Sequence, residues 1–329
     1  MAKIKYEFLA QYQAVNGVPL RSQLFGNIHA LSQSVHRLAP IVNPLMQLAP
    51  VRWLNEKLLG IARQRTLPSF AFQTFREWFA ERSQPPVVNR PSSVVLFVDT
   101  FTNFNHPEIG RAAVRVLEAA GYNVLLADHG CCGRPMISKG LLDIAKDAAT
   151  RNVEVLARYA EQGVPIVGLE PSCLLTLRDE YLDLLPKDSR ARQVAERSML
   201  IEEFLAGLAG QGALNVKWKS MPQKVLLHGH CYQKALTGTS QLLAMLRLPG
   251  WEVKEIDSGC CGMAGSFGYE AEHYSLSQAI GEERLFPAVR SAGSETLIAA
   301  SGMSCRHQIV HGTRCAAKHP IELLAEAVE

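Results

Sequence analysis

The stretch Asn123-Val124-Leu125-Leu126-Ala127-Asp128-His129-Gly130-Cys131-Cys132-Gly133 is a short apolar run that ends in two adjacent cysteines and a glycine. Its pattern returns 129 residues later as Glu252-Val253-Lys254-Glu255-Ile256-Asp257-Ser258-Gly259-Cys260-Cys261-Gly262. A later cysteine repeats as well: Cys173 follows Pro171-Ser172, and Cys305 follows Gly302-Met303-Ser304, 132 residues on. Agreement in both order and spacing points to an internal duplication, and so to two similar lobes.

Working outward from the repeats, β-branched runs alternate with helical stretches, the pattern of an α/β fold with mostly parallel sheets. In the first copy, strands are expected at Val94 to Val98, Asn123 to Ala127 and Val164 to Leu169. Helices are expected at Pro107 to Ala120 and from the cysteine pair through about Ala160. In the second copy, strands are expected at Val225 to His228, Glu252 to Ile256 and Thr296 to Ala300, with helices at Ser240 to Leu246 and Glu270 to Leu285.

Residues 1–90 read differently, as short helices broken by Pro40, Pro44, Pro50 and Pro68. Leu24, Ile28, Leu31, Val35 and Leu38 fit one apolar helical face. The aromatic run Phe70, Phe72, Phe75, Trp78 and Phe79 reads as packing rather than a cofactor site. Ser83 to Ser93, with Pro85, Pro86 and Pro91, reads as a linker. The expected organisation is a helical region over 1–90, a first lobe over 91–210 and a second over 211–329.

The chain has 329 residues, 47% hydrophobic and 20% charged, which suits a globular protein with sizeable cores. No apolar stretch approaches the roughly 20 residues of a membrane-spanning helix, and no signal-peptide pattern opens the chain, so a cytoplasmic protein is expected. Residues 1–90 hold eleven Lys and Arg against four Glu, a net +7 that leaves −4 for the remainder. A basic segment of that kind can dock on an acidic partner or on an anionic membrane at its inner face, or serve simply as a solvated surface. Neither a Gly-x-Gly-x-x-Gly nor a phosphate-loop pattern occurs in a fitting context. No nucleic-acid partner is expected.

The eight cysteines carry the chemistry. Every repeated cysteine follows an expected strand, and functional loops of parallel α/β units gather at the carboxyl ends of strands. Residues distant in sequence then meet on one edge, as a metal site requires. Soft thiolates match iron, and a glycine after paired cysteines lets the backbone turn tightly. The run Gly262-Met263-Ala264-Gly265-Ser266-Phe267-Gly268 leads into a helix, so its amides can donate to sulfur. The expected metal-binding residues are Cys131, Cys132 and Cys173 in the first copy and Cys231, Cys260, Cys261 and Cys305 in the second, the latter set with Gly262 forming the cofactor site. Cys315 has no counterpart and reads as a small buried hydrophobe. His129, His228, His230 and His307 lie beside the cysteine loops and read as polar loop residues, not ligands. The three cysteines of the first lobe leave zinc open there. Two rivals accompany the iron-sulfur reading: a zinc-stabilised interaction module without redox activity, and a thiol-disulfide catalyst, which vicinal geometry disfavours.

The motifs Cys131-Cys132-Gly133-Arg134-Pro135, Pro171-Ser172-Cys173, His230-Cys231, Cys260-Cys261-Gly262 and Gly302-Met303-Ser304-Cys305 resemble the cysteine-rich CCG domain. That domain occurs in heterodisulfide reductase, in the iron-sulfur components of glycolate and lactate oxidation, and in anaerobic glycerol-3-phosphate dehydrogenase. The resemblance covers about residues 94–328. It implies a 4Fe-4S protein relaying electrons from a flavin-containing dehydrogenase toward a quinone or other carrier, with no substrate bond broken in this chain. The opening Met1 to Leu9 and the stretch from Pro19-Leu20-Arg21-Ser22 are similar to the C-terminal part of long FAD-linked D-2-hydroxyacid dehydrogenases. There a flavin domain and a ferredoxin-like module precede this region; neither is in this chain, so FAD and that module are expected in a partner, and the chain in turn as a separated subunit or a piece of such an enzyme.

The chain departs from the family pattern in two places. Asp99, Thr100 and Phe101 stand where many relatives place a cysteine, and neither copy keeps a Cys-x-x-Cys end. This points away from a five-thiolate cluster and toward a four-thiolate site of Cys231, Cys260, Cys261 and Cys305. Cys131, Cys132 and Cys173 then form a second, weaker site or join through a non-cysteine ligand.

Overall fold

The computed structural model describes residues 2–82, 92–219 and 221–329. Most of the expected linker, 83–91, therefore lies outside the described residues, while Ser92 and Ser93 open the first strand. Two parallel sheets follow a helical N-terminal region. The first holds β1 (Ser92–Phe97), β2 (Tyr122–Leu126), β3 (Ile166–Gly168) and β4 (Ser198–Leu200) in the order β2-β1-β3-β4. The second holds β5 (Lys224–His228), β6 (Glu252–Glu255) and β7 (Thr296–Ala300) in the order β6-β5-β7. The duplicated unit is thus three strands with the first in the middle. β4 is an addition of the first lobe.

β1 shows why these residues make a central strand. Val94, Val95, Leu96 and Phe97 are all buried, and a parallel strand needs apolar side chains on both faces because crossover helices cover both. Val94 and Leu96 face a cluster with Ile109, Ala113 and Leu117 of the helix Pro107–Ala119, while Val95 and Phe97 face Ala145, Val153 and Leu156 of the helix Leu142–Glu161. The first of these clusters continues into the second lobe through Val225, Leu227 and Met245, and the C-terminal helix Pro320–Ala327 packs on Pro107–Ala119. A buried carboxylate also crosses between the lobes, Glu202 Oε1 accepting from Gln233 Nε2 at 2.7 Å.

The N-terminal region departs from its reading in two respects. The single apolar face expected over Leu24 to Leu38 is divided among the helices Leu20–Gly26 and Ile28–Val35 and a tight turn at His36–Leu38. Leu31 and Leu38 point to solvent, and the buried positions are Gly26, Ser32 and His36. His36 is inside because its ring packs on Phe104 of the first lobe. In the aromatic run, Phe75 is fully buried against Trp78 and Phe79, while Phe72 is exposed.

Several basic residues of this region are bonded to the lobes. Arg65, nearly buried, donates from Nε to Gly268 O at 2.7 Å, from Nη1 to Gln308 Oε1 at 2.6 Å and from Nη2 to Ser277 Oγ at 2.9 Å. Arg21 pairs with Glu272, Lys3 with Asp179 and Asp183, and Arg76 donates to Ala127 O at 2.9 Å. The helices therefore clasp both cysteine-bearing lobes. The helix expected over Glu270 to Leu285 is interrupted, with turns at Phe267–Tyr269 and Ala271–His273 before the helices Tyr274–Glu283 and Leu285–Arg290.

Two outcomes follow. Gly262 sits at φ +95°, and a Cβ there would lie 2.3 Å from Ser277 O, whereas at Gly133, φ +84°, the nearest atom would be 3.5 Å away. Both alanine variants carry left-handed strain, but Gly262→Ala adds a backbone clash, so urea denaturation should place it below Gly133→Ala by about 1–3 kcal/mol. Burial pushes the Glu202 carboxyl up to about 7. A raised acid in the folded state favours the protonated form, so its contribution is complete below about pH 4.5 and is lost as pH rises to about 7. Folding stability should fall by about 3 kcal/mol across that window, and Glu202→Gln should remove this part of the slope in denaturation curves taken at several pH values.

Candidate metal centre

The repeated cysteines all sit just beyond the carboxyl ends of strands, where parallel topology brings loops together. Cys131-Cys132 follows β2 and Cys173 follows β3; Cys231 follows β5, Cys260-Cys261 follows β6 and Cys305 follows β7. In the first lobe the thiol of Cys131 neighbours that of Cys132, which neighbours that of Cys173. In the second, Cys231 neighbours Cys260, Cys260 neighbours Cys261 and Cys261 neighbours Cys305. The structure thus brings together the three expected residues of one lobe and the four of the other. Cys315 stays apart, its Sγ directed at Thr313 O at 3.8 Å on the edge of an apolar cluster.

Backbone geometry explains how adjacent cysteines can both face inward. After each pair, glycine takes a positive φ and reverses the chain. In the second lobe the reversal aims the Gly262 amide at Cys260 Sγ, 3.4 Å away, and the Ala264 amide adds a second donor. Bonds from Cys231 and then Cys261, together with these amides, hold the Cys260 thiol well below its ordinary pKa. Its bond with Cys261 likewise lowers Cys305, with the His228 ring assisting. Cys231 is raised by its bond to Cys260 and by burial.

The first lobe differs. Cys131 is raised by its bond to Cys132 and by burial; the Cys132 thiol lowers Cys173 most, but burial together with the nearby Asp99, Glu170 and Cys131 carries it up to about 11. A donated bond from Cys131 lowers Cys132, but its own bond to Cys173 and its burial carry it well above the ordinary thiol value.

Histidine positions separate the lobes further. His129 is stacked on Phe97 with ring centroids 4.0 Å apart, and both its nitrogens are taken by backbone, Nε2 accepting from Val98 N at 3.0 Å and Nδ1 donating to Gly130 O at 2.8 Å. His307 is engaged by His106 and Tyr269. His228 is different: a ring nitrogen lies within 4.8 Å of both Cys261 and Cys305 Sγ. Its Nδ1 bonds Ser258 Oγ at 2.9 Å, while its buried Nε2 has no hydrogen-bond partner, as is also true of His230 Nδ1 and Ser301 Oγ nearby. Four converging thiols, Cys261 and Cys305 buried and Cys231 and Cys260 part-exposed, with the Gly262 amide and the orphaned polar atoms of His228, His230 and Ser301, fit an iron-sulfur cluster. Zinc in the first lobe finds no support, since its thiols meet a hydroxyl rather than an imidazole: Thr100 Oγ1 lies 3.9 Å from Cys131 Sγ.

The two sites adjoin. Glu170, buried between them, accepts from Met303 N at 2.8 Å and from Ser172 Oγ at 2.9 Å, and lies 4.0 Å from His230 Nε2. It thereby joins the Pro171-Ser172-Cys173 and Gly302-Met303-Ser304-Cys305 turns. The second site meets solvent, where Cys260 lines a cleft of about 420 Å³ with Asp257, Ser258, Gly259, Ile280, Glu283 and Arg284.

The cysteine-rich domain model named CCG matches residues 96–178 and 225–310, the two halves just described. The chain belongs to the cysteine-rich CCG family. This CCG protein is 36% identical over 293 residues to a subunit of the anaerobic glycerol-3-phosphate dehydrogenase of Escherichia coli, a match covering 88% of this chain and 72% of that protein. It is 27% identical to the Escherichia coli D-2-hydroxyglutarate dehydrogenase over 99% of this chain but only 32% of the longer protein. It is 25% identical to lactate utilization protein A 2 of Bacillus cereus strain Q1, over 58% of this chain and 79% of that one. These relatives bear names of dehydrogenases or of lactate use, which agrees with the resemblance drawn from the cysteine motifs. From sequence, His228 reads as a polar loop residue and not a ligand, and Thr100 is one of three residues standing where relatives place a cysteine; the structure shows that of these it is Thr100 that meets a thiol. The His-x-His-Cys run at 228–231 is the signal that points to His228.

Proposed function

We propose that this CCG protein is the iron-sulfur electron-transfer component of a flavin-linked 2-hydroxyacid dehydrogenase, working as an oxidoreductase part that breaks no substrate bond itself. The observation that carries the reading is the convergence of Cys231, Cys260, Cys261 and Cys305 beyond the carboxyl ends of three strands of one sheet, with the Gly262 amide 3.4 Å from Cys260 Sγ. Cys231, Cys260, Cys261 and Cys305 would hold a 4Fe-4S cluster over the Gly262 turn, and Cys131, Cys132 and Cys173 a second centre. When bound, such a cluster supplies reversible one-electron transfer in a range tuned by hydrogen bonds to sulfur and by burial. The chain's own residues do the rest: the Gly262 and Ala264 amides hold negative charge on Cys260, and burial keeps water from Cys261 and Cys305. The functional units in this reading are 1–90, 91–210 and 211–329.

Electrons would come from a flavoprotein partner with a ferredoxin-like module and leave toward a quinone or other carrier, in the cytoplasm at the inner membrane face. A surface feature supports the last element. Fourteen of the nineteen exposed large hydrophobics among the described residues lie between Ile4 and Phe72, among them Ile41, Leu45, Trp53, Leu54 and Leu58. The helices Ala39–Gln47 and Ala49–Leu59 that carry these five stand among Arg37, Lys57 and Arg63, the mixture of aromatic, aliphatic and cationic residues that suits a bilayer interface. No helix among the described residues is long and apolar enough to cross a membrane.

Anaerobic purification or reconstitution with iron and sulfide, followed by metal analysis and EPR, should give a brown iron protein. Single Ser replacements at Cys231, Cys260, Cys261 or Cys305 should remove most of the second-lobe iron; stoichiometric zinc, or an iron-free protein, would sink the proposal. Sedimentation with phosphatidylglycerol vesicles should pull down the protein, less so at high salt, and Ile41→Glu with Leu45→Glu should lower the bound fraction at least several-fold. Equal recovery of wild type and double variant would remove the membrane element.

A further inference from the structure

The strand registers superpose the two lobes residue by residue. β1 pairs Leu96 with Leu126 of β2, and β5 pairs Leu227 with Glu255 of β6. Counting on from these partners, Leu126 and Glu255 reach Cys131 and Cys260 after the same number of residues, and Leu96 and Leu227 reach Thr100 and Cys231. Contacts repeat this equivalence: Cys231 bonds Cys260, and Thr100 Oγ1 lies 3.9 Å from Cys131 Sγ. Thr100 is buried at the start of the helix Thr100–Phe104, and its hydroxyl is fixed from the far side by His29 Nδ1 at 2.9 Å. A hydroxyl occupies the corner that a thiol fills in the other lobe.

Resting on the iron-sulfur reading above, we propose that the first lobe is a three-thiolate site closed by the Thr100 hydroxyl, so that its cluster has one exchangeable iron. Cys131, Cys132 and Cys173 supply soft, deprotonatable sulfur to three corners, whereas an alcohol is a hard donor that keeps its proton and binds iron weakly. His29 keeps the hydroxyl in place rather than substituting a stronger ligand from its bonded nitrogen. The second lobe, with four thiolates, has no such corner. On one-electron oxidation the first-lobe cluster would pass from 4Fe-4S in the 2+ state to 3Fe-4S in the 1+ state, releasing Fe2+ to solution and one electron to the oxidant.

The test uses the whole chain, reconstituted anaerobically, then treated with ferricyanide and EDTA and read by iron content and EPR. Wild type should lose about one iron per chain and develop a 3Fe-4S signal, and added Fe2+ with a reductant should restore it. Thr100→Cys, close to isosteric, should hold that iron and suppress the signal, while Thr100→Ser, which keeps the hydroxyl, should behave as wild type. Equal loss from wild type and Thr100→Cys would overturn the inference, as would iron content indifferent to Cys173→Ser. A protein with no iron in any variant would instead defeat the electron-transfer reading itself.

Discussion

Everything at the metal centre depends on one constraint of parallel sheets: each strand ends on the same edge, so the loops that follow must crowd together there. Three short strands per lobe deliver cysteines from three separate parts of the chain to one pocket. The thiols are then near enough to perturb one another's protonation. Buried thiols are tolerated while protonated, but losing those protons would leave charge in the interior. A soft cation removes that conflict by taking the place of the protons.

Duplication supplied two copies of this edge, and the copies have diverged in a physically consistent direction. The second lobe kept four thiols, amide donors and a cleft to solvent beside Cys260. The first exchanged a thiol for Thr100 and lies beneath the N-terminal helices, with His29 and Arg76 reaching over it. One site opens to a solvent cleft, and the other is roofed by the N-terminal helices. Glu170 stands between them, bonded to the turn of each.

Much of this arrangement could be read from the residues alone, because strand order and cysteine spacing are local and periodic. The runs around Val94, Val124, Val225 and Thr296 are strands as expected, and the cysteines after them converge. Other features needed three dimensions. β4 is three residues long, too short for an alternation to register. The charge excess of residues 1–90 looked like a free basic surface, but a sum over sequence does not know that Arg65 is buried on Gly268, Ser277 and Gln308. His228 ends a strand, and only the fold shows its Nε2 left over beside two thiols.

The apolar cluster that runs from Val94 and Leu96 through to Val225 and Leu227 has a consequence for rate. Because both lobes share that interior, and Lys139 of one is paired with Glu270 of the other at 2.5 Å, neither can swing on a hinge without opening a packed interior. In the electron-transfer reading, the gap between the two centres would therefore be set once, at folding.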